Sequence, residues 1–101
     1  MPTSNQLLTI IVPDELKDDI VDQLMTLECI SGFNLERMKG YSQAHSHFDI
    51  SEQVEGYRKL NRFEILHSSA NEEEILLSLK KICNSTHARY WISPVLSSGH
   101  F

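Results

Sequence analysis

Residues 6–12 read Gln-Leu-Leu-Thr-Ile-Ile-Val, a continuous apolar run rich in β-branched side chains. Such a run predicts a strand buried on both faces. Pro13 stops it and suits the first turn of a following helix. Asp14, Glu15, Asp18 and Asp19 favour the positive end of that helix, and Leu16, Ile20, Leu24 and Leu27 recur at intervals of four and three, with Val21 widening the stripe. Ser31-Gly32 breaks the helix. Phe33, Leu35 and Arg37 then alternate with Asn34, Glu36 and Met38, which predicts a second strand.

From Tyr41 to Gly56 neither period is clear, and a long polar loop is expected, in which 49–54 could form one helical turn. A third strand resumes over 57–67, centred on Phe63 and Ile65. Asn71-Glu72-Glu73-Glu74 has the form of a capping box, and Ile75, Leu76, Leu79, Ile82 and Cys83 follow at helical spacing. The last strand is expected over 89–95.

The order strand, helix, strand, strand, helix, strand specifies one α+β domain over residues 1–101. Right-handed crossovers place both helices on one face of a four-stranded antiparallel sheet, a ferredoxin-like βαββαβ fold. The other face has no helix to cover it. If Leu8, Ile10, Val12, Tyr90 and Ile92 face the helices, Leu7, Ile11, Trp91 and Val95 face away. Apolar surface costs about 25 cal/mol per Å² in water. Contact with further subunits would remove that cost, so a homo-oligomer is expected.

Composition narrows the functional classes. A chain of 101 residues with net charge −5 is a poor partner for a phosphate backbone, so no nucleic acid is expected. No stretch approaches the roughly 20 apolar residues that span a bilayer. The first residues lack a basic signal-peptide start, and a cytoplasmic address is the expectation. Cys29 and Cys83 form no Cys-x-x-Cys pair and read as reduced, structural thiols.

The closing Tyr90-Trp91-Ile92-Ser93-Pro94-Val95, the long loop between strands two and three, and the order of elements resemble PII-like signalling proteins. A histidine-bearing loop, Ser51-Glu52-Gln53-Val54-Glu55-Gly56-Tyr57-Arg58, Phe63-Glu64-Ile65-Leu66 and Gly99-His100-Phe101 are similar to an uncharacterised PII-related family often encoded beside heavy-metal efflux pumps. The resemblance covers nearly the whole chain. It implies a homotrimer packed through its sheets, small effectors in clefts between subunits, and a moving loop over 41–57 that engages a target protein, of an efflux system or another. Nucleotide-binding PII proteins carry a glycine-rich turn before the last strand, whose amides reach phosphate. Here Asn84-Ser85-Thr86-His87-Ala88 has no glycine, although Arg89 stands where the family places a phosphate-binding lysine.

Two constellations are candidates for chemistry. In His45-Ser46-His47, imidazoles one residue apart can point the same way in an extended segment, and neutral imidazole suits a divalent or soft transition metal such as zinc, copper or nickel. Asp49, Glu52 or His100 could add ligands. Loops also collect solvated histidines, and a lone His-x-His is unspecific. Arg58, Lys59 and Arg62, with Arg89, could form an anion or effector patch, Arg58 and Arg62 sharing a face because their separation is even. The plainer reading pairs them with the many carboxylates. His67 and His87 read as structural or surface histidines. No nucleophile sits in a recognisable turn, so no enzyme is expected. The functional expectation is a regulatory, ligand-sensing module linked to heavy-metal homeostasis. A metal chaperone or buffer, or a nucleotide-responsive PII protein, is the alternative.

Overall fold

The computed structural model describes residues 4–42 and 56–101. Strand β1 (Asn5–Pro13) leads through a 3-10 turn (Asp14–Leu16) into helix α1 (Lys17–Met25). Strands β2 (Asn34–Gly40) and β3 (Arg58–Ser68) follow. A second 3-10 turn (Ser69–Asn71), helix α2 (Glu72–Cys83) and strand β4 (Arg89–Pro94) complete the fold. The sheet order is β2-β3-β1-β4 with every neighbouring pair antiparallel. This is the expected α+β, ferredoxin-like βαββαβ arrangement.

Period-two alternation decides which side chains enter the core. Leu8, Ile10 and Val12 of β1 lie opposite Ile65, Phe63 and Asn61 of β3, so all six face one side. Ile20 and Leu24 of α1 and Ile75 and Leu79 of α2 close over them, and every apolar member of this set is buried. Phe33 extends the cluster, its ring centroid 6.0 Å from that of Phe63. Full burial of each such side chain contributes about 1.5–3 kcal/mol.

The local signals at the helix starts act differently from the expected pattern. Asn71 makes no side-chain capping bond. The chain enters α2 through the 3-10 turn instead, and Ser68 Oγ accepts from the amide of Ala70 at 3.2 Å. Asn71 has φ −103° and ψ 3°, outside the extended conformation a capping residue normally adopts. Pro13 likewise belongs to β1 and precedes a 3-10 turn, which delays α1 to Lys17. Glu72, Glu73 and Glu74 in the first turn of α2 and Lys80 and Lys81 in its last match the helix dipole.

The uncovered sheet face differs from the uniformly apolar surface that the pattern suggests. Leu7, Ile11 and Trp91 do point away from the helices, as their register with the core residues requires. They share that face with Glu36, Arg58, Arg62, Glu64 and Arg89. Ile11 is 3% exposed because charged neighbours flank it, whereas Trp91 is 47% exposed. The face is amphipathic. Among the described residues no helix is long and apolar enough to cross a membrane.

Candidate functional site

Arg58, Arg62 and Arg89 all stand on the uncovered face, as the even spacing of the first two requires. One row across the sheet reads Glu36, Arg62, Ile11, Arg89. Arg62 and Arg89 are therefore two strands apart, about 10 Å between backbones, and Arg58 lies about 13 Å further along β3. The three arginines thus share one surface and stand on it at separate positions of two strands. Arg62 donates to and pairs with the Glu36 carboxylate. The Arg89 guanidinium lies 6.0 Å from the centre of the Trp91 ring. The plainer reading of paired surface cations fits Arg62.

Lys59 does not join this patch. An odd separation from Arg58 and Arg62 turns it to the opposite face, where its cross-strand partner is Lys39. Arg37, two residues before Lys39 on β2, faces the same way. Arg37, Lys39, Lys59, Tyr57 and Asp14 line a cleft of about 350 Å³ at the end of the sheet. Ser42 and Gly56 bound the undescribed segment at this same end. Lys39 Nζ is 4.9 Å from the Tyr57 ring centre, and Tyr57 packs against Tyr41 with centroids 6.0 Å apart. The cleft thus carries three cations and one carboxylate. That carboxylate is already engaged, since Asn61 Nδ2 donates to Asp14 Oδ1 at 2.8 Å.

Such a site can bind an anion. Two like charges directly opposite on a sheet are unfavourable, and a bound anion would turn that repulsion into attraction. Arg37 and Lys39 were not among the sequence candidates. Their signal was the even spacing of cations on β2 and the hairpin-like pairing that brings Lys59 opposite, and only the register reveals it.

The turn before β4 also has a defined geometry. Ser85 adopts φ 64°, a left-handed conformation that favours glycine. Thr86 Oγ1 donates to the Cys83 carbonyl at 2.6 Å, and the Ala88 amide donates to Thr86 Oγ1 at 3.2 Å. The side chain of Thr86 consumes an amide that a glycine-rich turn would leave for a ligand.

The histidine candidates divide. His45 and His47 lie outside the described residues, as does the turn considered over 49–54. His100 is exposed. Its tail is held to β1 at the other end of the sheet, through the Val95 amide on the Asn5 carbonyl and Asn5 Nδ2 on Ser98 Oγ. Among the described residues no group of three His, Cys, Asp or Glu side chains is placed to hold a metal ion. His67 is buried, with Nδ1 2.9 Å from the Ser68 carbonyl. Cys29 and Cys83 are free thiols. Burial raises the pKa of both, and for Cys29 the nearby Glu74 carboxylate, which shares a hydrogen bond with it, adds to the rise. Raised thiol pKa values oppose nucleophilic or redox roles.

The family model described as "Protein of unknown function (DUF3240)" matches residues 3–101. The chain belongs to this family. A solved DUF3240 family protein from Shewanella baltica is 36% identical, with 99% of each chain covered and a TM-score of 0.81. CPII, a nitrogen regulatory PII-like protein from Thiomonas intermedia whose structure holds ADP, AMP and bicarbonate, is 11% identical over 99% of this chain and 100% of its own, with a TM-score of 0.72. A functionally unknown protein from Pediococcus pentosaceus shares 14% identity over 99% of this chain and 100% of its own, at a TM-score of 0.67. No curated protein matches the chain. The DUF3240 chain therefore has the PII-like fold, and the resemblance noted in the sequence is to the right fold and an uncharacterised family.

Proposed function

We propose that this DUF3240 protein is a cytoplasmic, PII-like regulatory module that senses a small anionic effector at the base of the segment over 41–57. One observation carries the reading: Lys39 opposes Lys59 across two strands, with Arg37 on the same face, around a cleft of about 350 Å³. Its position next to Ser42 and Gly56 supports a coupling between effector binding and the connecting segment. A ligand that favours one arrangement of that segment would shift its population, and a target protein would read the result. The PII-like neighbour that holds nucleotides and bicarbonate lends support to an anion in this fold. Under this reading the protein is not an enzyme: a cleft of cations around one engaged carboxylate supplies charge recognition and no general base.

Self-association through the amphipathic sheet face belongs to the same reading, as a homotrimer in the manner of the PII resemblance. Leu66 and Trp91, exposed on that face, would provide the apolar contact. Arg58 and Arg89 would then lie at subunit junctions, available to an effector shared between chains.

A second reading rests on His45-Ser46-His47 and on the family resemblance to proteins encoded beside efflux pumps. Here the effector is a transition metal ion, sensed or buffered by the histidines with His100 of a neighbouring chain as a further donor, and the target is an efflux component. Isothermal titration calorimetry separates the two. Binding of ADP, AMP or bicarbonate that is lost in the Lys39→Ala, Arg37→Ala double variant supports the anion reading. Zinc, copper(I) or nickel binding that is lost in the His45→Ala, His47→Ala variant supports the metal reading. Anion binding unchanged by the first pair of substitutions overturns the assignment of the cleft.

A further inference from the structure

The cleft that carries Arg37, Lys39 and Lys59 also carries one acceptor, and that acceptor is fixed from the core. Asp14 leaves β1 one residue beyond the Pro13–Leu60 pair, level with Lys59. It is half-buried, and with the three cations it makes up all the charged residues of the cleft wall. Its Oδ1 accepts from Asn61 Nδ2 at 2.8 Å. A carboxylate has lone pairs on both oxygens, so this bond leaves it further capacity to accept.

Asn61 is the unexpected member. It is fully buried on the helix side of β3, in the row Arg37, Asn61, Val12, and the next inward positions on its strand are Phe63 and Ile65. Its Oδ1 is buried and has no hydrogen-bond partner among the described residues. An orphan buried carbonyl is costly, and an apolar side chain at this place would avoid the cost. What the amide contributes in return is the bond to Asp14. A polar residue inside the core thus holds a carboxylate at the edge of an otherwise cationic cleft. Departures of this kind from the apolar pattern gather at functional sites.

A carboxylate is a poor wall for an ordinary anion. Against a fully ionised oxyanion, Asp14 sets oxygen on oxygen with no proton between them, and the like charges repel. Against an oxyanion that keeps a hydroxyl, the same carboxylate accepts a charge-assisted hydrogen bond. The three cations attract both kinds. Asp14 tells them apart, by penalising one as well as by favouring the other.

We infer that the cleft selects a small oxyanion that retains an O–H group, of the hydrogen phosphate or bicarbonate type, over its hydroxyl-free counterpart. Asp14 is the acceptor and Asn61 the residue that positions it. The inference rests on the anion reading of the cleft and adds to it which anions are admitted. Asp14 accepts a hydrogen bond and no proton changes hands.

Two pairs of ions matched in charge and shape test this by calorimetry on the full chain at mildly alkaline pH. Hydrogen phosphate is set against sulfate, both tetrahedral dianions, and bicarbonate against nitrate, both planar monoanions. In the pair that the cleft accommodates, the hydroxyl-bearing ion is expected to bind about tenfold more tightly, less than in a fully enclosed site because Asp14 is only half-buried. Asp14→Asn keeps an acceptor for Asn61 and offers the ligand an N–H. The ratio should then fall to about threefold or less, mainly because sulfate or nitrate gains. A variant that merely lost folded protein would weaken both ions of a pair alike and leave the ratio unchanged. Equal binding within the pair, or a ratio unmoved by Asp14→Asn, overturns the inference and leaves the anion reading standing. Failure of all four ions to bind also overturns it. Ion binding that survives the Arg37→Ala, Lys39→Ala double variant overturns the assignment of the cleft, and the inference with it.

Discussion

Lys39 and Lys59 face each other across the β2–β3 ladder with no intervening residue, on the helix side of the sheet. A cross-strand pair of like charge opposes folding by a few tenths to about 1 kcal/mol. The nearby Tyr57 ring offsets part of this for Lys39. A functional role for the pair predicts that stability and binding respond in opposite directions. Lys39→Gln is expected to leave the unfolding midpoint unchanged or slightly higher, within about 0.5 kcal/mol. The same variant should bind ADP or bicarbonate at least fivefold more weakly. Denaturant melts beside calorimetry on one preparation check both halves, and a variant that is destabilised with binding intact would mark Lys39 as structural.

The entry to α2 offers a sharper test of local structure. Because Ser68 supplies the capping acceptor and Asn71 supplies none, Ser68→Ala should cost about 1 kcal/mol and Asn71→Ala much less. Urea unfolding of the two variants measures the difference. The reverse ranking would restore the capping box that the sequence suggests.

How far the fold could be read in advance follows from which forces are local. The apolar run over 6–12 and the spacing of Ile20 with Leu24 and of Ile75 with Leu79 are strong because burial leaves them one arrangement. Element order then restricts the sheet to few topologies. The capping of α2 is ambiguous in the sequence because Ser68 and Asn71 are both good caps, and the 3-10 turn that chooses between them depends on where β3 ends. That Arg58 and Arg62 share a face follows from parity alone, and Arg89 joins them only through the register of β4 on β1. The same parity turns Lys59 away from them, whereas the pairing of Arg62 with Glu36 and the meeting of Lys59 with Lys39 depend on β2–β3 register, which no spacing within one strand contains. The balance of charge and apolar surface around Ile11 is likewise a property of three adjacent strands.

Ser85 supplies a prediction about strain. Its φ of 64° costs a non-glycine residue about 1 kcal/mol, partly returned by the turn hydrogen bonds of Thr86. Ser85→Gly should therefore be neutral or stabilising by up to about 1 kcal/mol, and Ser85→Val should be destabilising. Thermal melts of the pair decide this. If Ser85→Gly also gained nucleotide affinity, the missing glycine would be what separates this turn from an amide cradle; the hydrogen bond from Ala88 to Thr86 predicts no such gain.

Alkaline pH should expose the state of the thiols. Burial raises the pKa of Cys83, and burial followed by the Glu74 carboxylate raises that of Cys29. A raised folded-state pKa means that the folded chain holds these protons more tightly than the unfolded chain. The corresponding stability is complete below the unfolded thiol value, about 8.5, and is lost as pH climbs through the higher folded values. Unfolding free energy measured in urea should therefore fall as pH rises beyond the unfolded thiol value, and the fall should be smaller in Cys29→Ser, Cys83→Ser. In the same range, iodoacetamide should modify both thiols more slowly in native protein than in denatured protein, since the thiolate is the reacting form. Cys29 should respond to Glu74→Gln with faster modification and Cys83 should not, because only Cys29 has that carboxylate beside it. Equal acceleration at both would show that Glu74 acts through the stability of α2, where a carboxylate in the first turn also favours the helix.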